Sequence, residues 1–459
     1  MKTLLTNATV LTMDPQLGDL SQGQVLVEND HILAVGHDLP SHEVTVIDCR
    51  GGILIPGLVN AHMHTWQTAL RGVAANWTLL EYFGHVHRGL AALFTPDDIR
   101  IATHMGALNQ LNCGTTTLGD WCHNNPTSAH TDAAVEGLQA SGIRAVFFHG
   151  SPKPDPKPGQ PHFSEIPHPR GEVERLLAGP LGDPDGRVTL GLAILGPHYS
   201  TLEVALHDVA LAKEFGLVAS MHQGGGKAVS PGGWDVIEEE GLLGPDINIV
   251  HGQSLDDGQL ARFCAKGVTF SIAPENEMTQ GHGFPITGHV RRHKGVVSLG
   301  VDLESVISGD MFTVARMALG MQRSLDNDAS RREQGSIPDT STIRTREALE
   351  WITIDGARAL GLDARIGSLT PGKQADIVLL DTALLNMQPV SDPISSVVMQ
   401  ASLANVDSVM VAGEFHKRNG KLLEDVEDGI RQLEVSGHRI YTELQSRERE
   451  TREKQETSP

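Results

Sequence analysis

The middle of this 459-residue chain alternates eight times between short β-branched, apolar runs and stretches with helical periodicity. Strand-then-helix repetition predicts a parallel sheet, and eight units in a chain of this length favour a closed (β/α)8 TIM barrel over an open, doubly wound sheet. We predict the barrel strands at 53–64, 115–121, 144–150, 188–198, 218–223, 247–252, 268–274 and 296–302.

Both ends of the chain carry alternating runs broken by turn residues, a pattern typical of strands. We expect the two ends to form one small β-sandwich domain on the barrel. The predicted division is residues 1–56 and 366–421 for the two parts of the β-sandwich, 57–365 for the barrel, and 422–459 for an amphipathic helix that passes into a charged, disordered tail.

The composition excludes several classes of protein. A formal net charge of −21 argues against nucleic acid or an anionic membrane as a partner, because both require a basic face. No run of about twenty apolar residues is present, so no membrane span is expected. The four cysteines form no CxxC pair, which indicates neither a disulfide framework nor a thiolate zinc site and favours the reducing cytoplasm.

Two histidines separated by one residue, His62 and His64, end the first predicted strand. In an extended segment, side chains two apart point to the same side, so both imidazoles could reach one metal ion. The spacing alone is weak evidence, since it is expected about once by chance in a chain so rich in histidine. The pair His85 and His87 has the same spacing, and we interpret it as surface or packing histidines in a loop-to-helix segment.

Other predicted strands also end in residues that can bind metal. In such a barrel, functional residues lie at the C-terminal ends of the strands. Those ends carry Asp120, His123, His149, His198, His222, His251 and Asp302. Neutral imidazoles with a carboxylate suit zinc or iron, so we predict a site of His62, His64, His222 and Asp302 that holds one divalent metal, with Zn²⁺ favoured and Fe²⁺ as the alternative.

The predicted site suggests catalytic roles for the metal ion and for His251. The metal would lower the pKa of a water and orient it as a nucleophile, while His251 could hydrogen-bond that water or the atom under attack. A simpler interpretation stays open, in which His222 and His251 pack in the core and Asp302 caps the following segment.

Several motifs together resemble one family. The segments PGLVNAHMH (56–64), SLGVD (298–302) and GSLTPGKQADIVLLD (367–381) look like the amidohydrolase superfamily, in the branch of the S-adenosylhomocysteine and methylthioadenosine deaminases and the triazine hydrolases. The resemblance extends to about residue 420. It implies a metal-dependent barrel with a β-sandwich, hydrolysis of a C–N or similar bond on a ring, and a homo-oligomer, as a dimer or larger.

The resemblance also implies roles for individual residues. It assigns the metal ligands to His62, His64, His222 and Asp302, and it places His251 beside them as a catalytic residue. In the deaminases, a glutamate after the HxH motif and a histidine in a GPH-like motif contact the substrate. These correspond here to Glu81 and His198, although Glu81 could equally be a solvated helix carboxylate.

Strand five departs from the family pattern. The deaminases carry HxxE there, whereas this chain has Gly225 in the position of the glutamate, and glycine cannot carry a proton. The GGG run leaves room, or backbone N–H groups, for a bulkier or anionic substrate. Our hypothesis is that Asp302 takes the proton of the water, with Glu275 or Glu277 as less favoured shuttles.

The loops after the predicted strands supply candidate walls for a substrate pocket. Aromatic side chains there could stack on a flat ring, although such side chains also commonly pack loops together. The candidates are Trp66, Gln67, Trp77, Trp121, His123, Glu277, Met278 and His282.

The function predicted from these features is attack of a metal-bound water on a ring carbon of a small nitrogen-containing heterocycle, by deamination or a related C–N hydrolysis. One alternative is an enzyme that opens a cyclic amide or imide, for which the missing glutamate is less of an obstacle. An alternative of another class is a catalytically inactive barrel that acts as a scaffold.

Overall fold

A computed structural model describes residues 2–154, 157–224 and 226–456. Its strands, numbered along the chain, are β1 (Lys2–Val10), β2 (Leu20–Glu28), β3 (His31–Gly36), β4 (Thr45–Asp48), β5 (Ile53–Pro56), β6 (Leu58–Met63), β7 (Thr115–Cys122), β8 (Arg144–Gly150), β9 (Val188–Ile194), β10 (Ala219–Gln223), β11 (Ile247–His251), β12 (Thr269–Ile272), β13 (Val296–Leu299), β14 (Ile377–Leu380), β15 (Val406–Val411), β16 (Glu414–Arg418) and β17 (Lys421–Leu422).

The α-helices are α1 (Leu79–Tyr82), α2 (Pro96–Asn112), α3 (Ser128–Ser141), α4 (Arg170–Ala178), α5 (Gly196–Tyr199), α6 (Leu202–Glu214), α7 (Gly233–Glu239), α8 (Asp257–Ala265), α9 (Pro274–Gln280), α10 (Thr287–Arg292), α11 (Met311–Gln334), α12 (Thr345–Trp351), α13 (Ile354–Ala359), α14 (Pro393–Met399) and α15 (Glu427–Glu456). Shorter helical turns cover Thr65–Leu70, Phe83–His87, Leu90–Leu93, Phe163–Glu165, Leu385–Met387 and Leu403–Asn405.

Strands β6 to β13 form the eight-stranded sheet in sequence order, and the neighbours pair in parallel throughout. The two ends of this sheet meet where Met63 bridges to Asp302. There the His64 amide donates to the Asp302 carbonyl, and the Asp302 amide donates to the His62 carbonyl, both at 2.9 Å. The predicted TIM barrel is confirmed, and its closure brings the first and last strand ends into contact.

The first predicted strand, 53–64, is two strands. Ile53–Pro56 joins the terminal sheet and Leu58–Met63 joins the barrel, with Gly57 between them. A Cβ at position 57 would lie 2.0 Å from the Thr116 hydroxyl oxygen, so only glycine fits this close approach. The apolar run continues through both strands because both are buried, which is why the sequence does not reveal the break.

The second sheet is built from both ends of the chain. Its nine strands follow the order β17-β16-β15-β14-β5-β1-β2-β3, with β4 paired to β1, and the pairing is mixed. Strand β14 pairs antiparallel with β5, so the N-terminal and C-terminal parts share one continuous ladder. This agrees with the expected small domain of β-structure from both termini, while the residue limits of the domains remain a prediction.

The long C-terminal helix α15 packs against the barrel. Its Ile440 and Leu444 are buried, and Ser436 donates to Asp98 of α2. The charged end was expected to be disordered, but the helix continues to Glu456. Residues 457–459, the last part of the expected tail, lie outside the described residues. In the described part of the chain, no helix has the length and apolarity needed to cross a membrane.

Candidate metal centre

Four side chains from separate strand ends converge in the barrel. One ligand atom from each of His62, His222, His251 and Asp302 lies within 4.8 Å of the others. His62, His251 and Asp302 are buried, and His222 is half-buried. The structure thus adds His251 to the group that could hold a metal ion, whereas the sequence placed it beside the ligands.

The carboxylate of Asp302 lies at the middle of this group. Its Oδ1 is 3.3 Å from Nε2 of both His62 and His64. Its Oδ2 accepts a hydrogen bond of 2.6 Å from Asn276 and lies 3.7 Å from His251 Nε2. Both Asp302 (φ 66°) and His251 (φ 68°) have left-handed backbones, a conformation that costs on the order of 1–3 kcal/mol in such residues and is concentrated at functional sites.

Three imidazole nitrogens at the centre form no hydrogen bond with any residue that the structure describes, although one of them, His62 Nε2, lies 3.3 Å from Asp302 Oδ1. Both ring nitrogens of His62 and Nδ1 of His222 are buried without a hydrogen bond to any described residue. A buried polar atom of this kind is costly unless something binds it. His64 is also oriented to bind a metal ion. Its Nδ1 donates to the Trp121 carbonyl at 2.5 Å, which leaves the Nε2 lone pair facing Asp302. The residues therefore fit a transition-metal ion.

The protonation states also suit a metal ion. Burial lowers the pKa of His62 to about 4 and the pKa of His222 well below its usual range, so both imidazoles are neutral. Burial opposes ionisation of Asp302, but the adjacent imidazoles of His62 and His64 hold its pKa well below the usual range. Neutral imidazoles and an ionised carboxylate are the forms that ligate metals.

His251 is held by Glu277. The His251 Nδ1 donates to Glu277 Oε1 at 3.0 Å, and the same oxygen accepts from the Ala273 amide at 2.9 Å. Burial opposes protonation of His251, yet the carboxylates of Glu277 and Asp302 raise its pKa. The interpretation of Glu277 as a substrate contact does not agree with this geometry, because its carboxylate lies behind His251 and orients that ring.

A cavity opens beside the centre, and its lining includes six predicted residues: His64, His123, His222, His251, His282 and Asp302. The sequence interpretation missed the others, which are Leu79, Tyr82, Phe83, His87, Lys153, Tyr199, Gln280 and Leu303. Most of these lie on loops and short helices after the strands, where periodicity gives no signal.

His87 is the clearest of these omissions. Its ring centre lies 4.6 Å from that of His123, inside the cavity lining, whereas His85 stacks on Trp77 at 4.7 Å. The π-helical turn Phe83–His87 separates the two side chains. The interpretation of this pair as packing histidines suits His85 and is incomplete for His87, which packs on Tyr82 and Phe83 and also lines the cavity.

Two predicted pocket residues pack elsewhere. The Trp66 ring is fully buried, with its centre 5.0 Å from that of Phe94. Gln67 donates to the Tyr82 hydroxyl at 2.6 Å and accepts from Ser305 at 2.8 Å. The Gln67 side chain therefore positions Tyr82, which does line the cavity.

Two more of the predicted pocket residues, Trp121 and His198, contact residues of strand β10. The Trp121 ring centre lies 4.3 Å from that of His222, and its indole N–H donates to Ser220 at 3.2 Å. His198 is buried with Nδ1 3.3 Å from the side-chain amide of Gln223. Neither belongs to the cavity lining, and the same holds for Met278 and Trp77.

Glu81 belongs neither to the candidate metal ligands nor to the cavity lining. It is exposed, and its carboxylate accepts from the Thr78 amide at 2.8 Å as part of a capping box at the start of α1. This capping role explains why a glutamate occupies the third position of α1. Gly225, where the missing glutamate was inferred, lies outside the described residues.

A closed parallel barrel with imidazoles and a carboxylate at its C-terminal end places this protein among the barrel enzymes whose strand ends could hold a metal ion. The model of the amidohydrolase family matches residues 53–416, and the chain belongs to that family. This confirms the predicted enzyme class, a hydrolase of carbon–nitrogen bonds other than peptide bonds.

Curated relatives match along most of the chain. A 5'-deoxyadenosine deaminase of Methanothermobacter thermautotrophicus is 28% identical over 433 residues, covering 91% of this chain and 95% of the relative. A 5-methylthioadenosine/S-adenosylhomocysteine deaminase of Bacillus cereus is 27% identical, covering 92% and 95%. The predicted resemblance to this branch is confirmed.

Among solved structures, a variant of atrazine chlorohydrolase from Arthrobacter aurescens, complexed with zinc and atraton, is similar with a TM-score of 0.85. It is 23% identical, and the match covers 95% of this chain and 100% of that one. At this identity the likeness establishes the shared fold.

Proposed function

We propose that this chain hydrolyses a C–N bond at a ring carbon of a small nitrogen-containing heterocycle, with deamination as the reaction. The observation that carries the proposal is the convergence of His62, His222, His251 and Asp302 beside an open cavity. The deaminase names of the curated relatives support this reaction for this chain. The cavity walls Tyr82, Phe83 and Tyr199 offer aromatic surface for a flat ring.

The proposed metal is Zn²⁺, held by His62, His64, His222 and Asp302, with Fe²⁺ as the alternative. The unpartnered nitrogens of His62 and His222 support this set, and a similar structure was crystallised with zinc. A bound zinc ion would supply a Lewis acid that activates a water for attack.

Asp302 is the proposed proton carrier. Its Oδ1 faces the imidazoles of His62 and His64. Oδ2 already accepts from the Asn276 amide, and its second lone pair is the one proposed to take the proton of the attacking water. Oδ2 could then deliver that proton to the leaving nitrogen, while the Asn276 amide keeps the carboxylate in place. Position 225 holds a glycine and can supply no acid for this step.

His251 is the second proposed catalytic residue. Glu277 holds its Nδ1, so Nε2 points towards Asp302 and the cavity. A protonated Nε2 can donate to the ring atom that gains charge during attack.

A panel of aminated purines, pyrimidines and triazines, together with cyclic amides and imides, tests the proposal. The protein is loaded with Zn²⁺, and ammonia release is assayed alongside ring opening. Ammonia from an aminated ring is the expected result. Ring opening alone would replace the proposal with the cyclic amide hydrolase. No turnover of any compound by a metal-loaded protein would favour the inactive scaffold.

We further propose that the protein works in the cytoplasm as a homo-oligomer, a dimer or larger. The cysteines support a reducing compartment, since Cys49, Cys113, Cys122 and Cys264 are all unpaired. Light scattering after size-exclusion chromatography measures the oligomer, and a mass of one chain would contradict it.

A further inference from the structure

Helix α9 brings a buried glutamine to the cavity beside the metal centre. Gln280 is the last residue of this helix and belongs to the cavity lining. The residue is 2% exposed, so bulk water has little access to its amide. Its Nε2 forms no hydrogen bond with any residue that the structure describes. A buried donor without a partner is unfavourable, and at a cavity wall it indicates a ligand group that accepts from it.

The direction of the Gln280 amide follows from the residues behind it. The ionised carboxylate of Asp302 can only accept, and its Oδ2 takes a hydrogen bond of 2.6 Å from Asn276 Nδ2. The same Nδ2 donates to Gln280 Oε1 at 3.3 Å. An inverted Gln280 amide would set one N–H donor against another. Oε1 therefore faces Asn276, and Nε2 is the end left for a ligand.

A neighbouring side chain, His282, has no such fixed direction. It also lines the cavity, and neither of its ring nitrogens bonds to a described residue. Burial lowers its pKa to about 3, so the ring is neutral and can present either a donor or an acceptor, depending on its tautomer. Gln280 Nε2 can only donate. Its requirement for the substrate is therefore defined, because the ligand group that meets it must be an acceptor.

We propose that Gln280 determines specificity by donating a hydrogen bond from Nε2 to an acceptor on the heterocycle, either a ring nitrogen or an exocyclic oxygen. Asn276 alone links Gln280 to the carboxylate of Asp302, so Gln280 can reach the ring on which the attack takes place. A ring with C–H in place of the acceptor would leave Nε2 unpaired and would bind more weakly. This inference rests on the proposed function, because it assumes that the ring occupies the metal centre.

The competing explanation is that Gln280 only holds Asn276 in place against Asp302. Gln280→Glu separates the two roles, because an ionised carboxylate still accepts from Asn276 but has no hydrogen to donate. Gln280→Met removes both groups and keeps a side chain of similar length. Gln334→Met, at an exposed position at the end of α11, makes the same substitution away from the cavity and serves as the matched control.

The experiment uses purines, pyrimidines and triazines in matched pairs. In one series the second member of the pair has C–H in place of a ring nitrogen, and in the other it lacks an exocyclic oxygen, so the two kinds of acceptor are distinguished. A methyl group replaces the amino group in these ligands to prevent turnover. Calorimetry measures their binding to the Zn²⁺-loaded protein at a pH of about 8, well above the ordinary pKa of a glutamate. Ammonia release from the amino forms is measured in parallel.

Wild type and Gln334→Met should bind the acceptor-bearing member of at least one pair about tenfold more tightly than its partner, or better. Gln280→Glu and Gln280→Met should both reduce this preference to less than about twofold, because neither can donate to the acceptor. The zinc content of each variant, measured on the same samples, verifies that the metal centre is retained.

The absence of any preference in wild type, or a preference that survives in both Gln280 variants, would overturn the inference. Loss in only one of the two variants would also overturn it, since the cause would then be the position of Asn276 or the added charge. Ammonia release in these cases would still support the proposed function. Conversely, a preference that depends on Gln280 without ammonia release from any amino compound would support the hydrogen bond and count against the deamination.

Discussion

The carboxylate of Asp302 faces the imidazoles of His62, His64 and His251 and the amide of Asn276. Asp302→Asn removes a negative ligand and the proposed proton carrier at once. Turnover should fall by about a thousandfold or more. Steady-state rates at saturating metal, with circular dichroism melting to verify the fold, measure the effect. Full activity of this variant would refute the role.

Glu277 and Glu275 form a matched pair on helix α9. Glu277 is fully buried and holds His251, whereas the half-buried Glu275 makes no contact with the centre. Glu277→Gln should lower kcat/KM by roughly 10–100-fold, because residues that orient a metal-site histidine have effects of this size. Glu275→Gln should stay near wild type. A Glu277→Gln variant that also stays near wild type would show that His251 does not depend on Glu277.

Which residues of the centre could be predicted depends on where they lie. His62, His222 and Asp302 directly follow apolar runs, so their positions at the barrel mouth follow from the strands alone. Lys153 and His87 lie on loops, and only the folded chain brings them to the cavity. The sequence predicts Glu277 as a substrate contact, whereas its orientation towards His251 depends on one turn of helix that the sequence does not specify.

At the scale of single elements, α15 depends on Asp98 at the start of α2. Asp98 Oδ1 accepts from Ser436 at 2.6 Å, and Oδ2 accepts from the amide and hydroxyl of Thr95, both at 2.7 Å. Arg439 forms an ion pair with the same carboxylate. One side chain therefore caps α2 and fastens the C-terminal helix.

Asp98→Ala should lower the free energy of unfolding by about 2–4 kcal/mol, from the lost cap and the unpaired Ser436. Asp97→Ala, at the exposed neighbouring position, should change it by less than about 0.5 kcal/mol. Urea unfolding measures both variants. A loss for Asp98→Ala as small as that expected for Asp97→Ala would mean that the Asp98 contacts contribute nothing.

The contribution of Asp98 should also depend on pH. Burial opposes its ionisation, but hydrogen bonds from Ser436 and Thr95, with the charge of Arg439, lower its pKa below the usual 3.8. The stabilisation is therefore present above pH 3.8 and is lost as pH falls through the folded-state pKa. The difference in stability between wild type and Asp98→Asn should shrink below that pH, and a difference that grows in acid would contradict the sign.

The elements themselves were largely predictable. Seven of the eight predicted barrel strands overlap a single observed strand, because each buried parallel strand is a short apolar run between turn residues. The strand predicted at 188–198 ends early, since Gly196 (φ 62°) and Pro197 begin the short helix α5. Such a local stop depends on backbone conformation at one residue.

At the scale of the whole molecule, a buried ion pair joins the barrel to the terminal sheet. Arg144 of β8 contacts Asp376 through Nε at 2.8 Å and Nη2 at 3.1 Å, and Asp376 also accepts from the Ala412 amide at 2.8 Å. The Arg144 side chain is 1% exposed. Nothing local in the sequence pairs these residues, since they are 232 positions apart.

Arg144→Met should lower the free energy of unfolding by about 3–5 kcal/mol, because it leaves the Asp376 charge buried and unpaired. Arg187 and Glu414 also link the barrel to this sheet, but their side chains are 32% and 66% exposed. Arg187→Met should therefore cost less than about 1 kcal/mol. Chemical denaturation of both variants gives the comparison, and similar losses would contradict the distinction between buried and exposed pairs.

The central claim is that His62, His64, His222 and Asp302 hold one metal ion. Elemental analysis of the purified protein tests it directly, with His222→Ala as the matched variant. We expect about one equivalent of zinc or iron per chain in the wild type and less than about one tenth of an equivalent in His222→Ala. A folded wild-type protein that holds no transition metal, even after incubation with Zn²⁺, would contradict the claim.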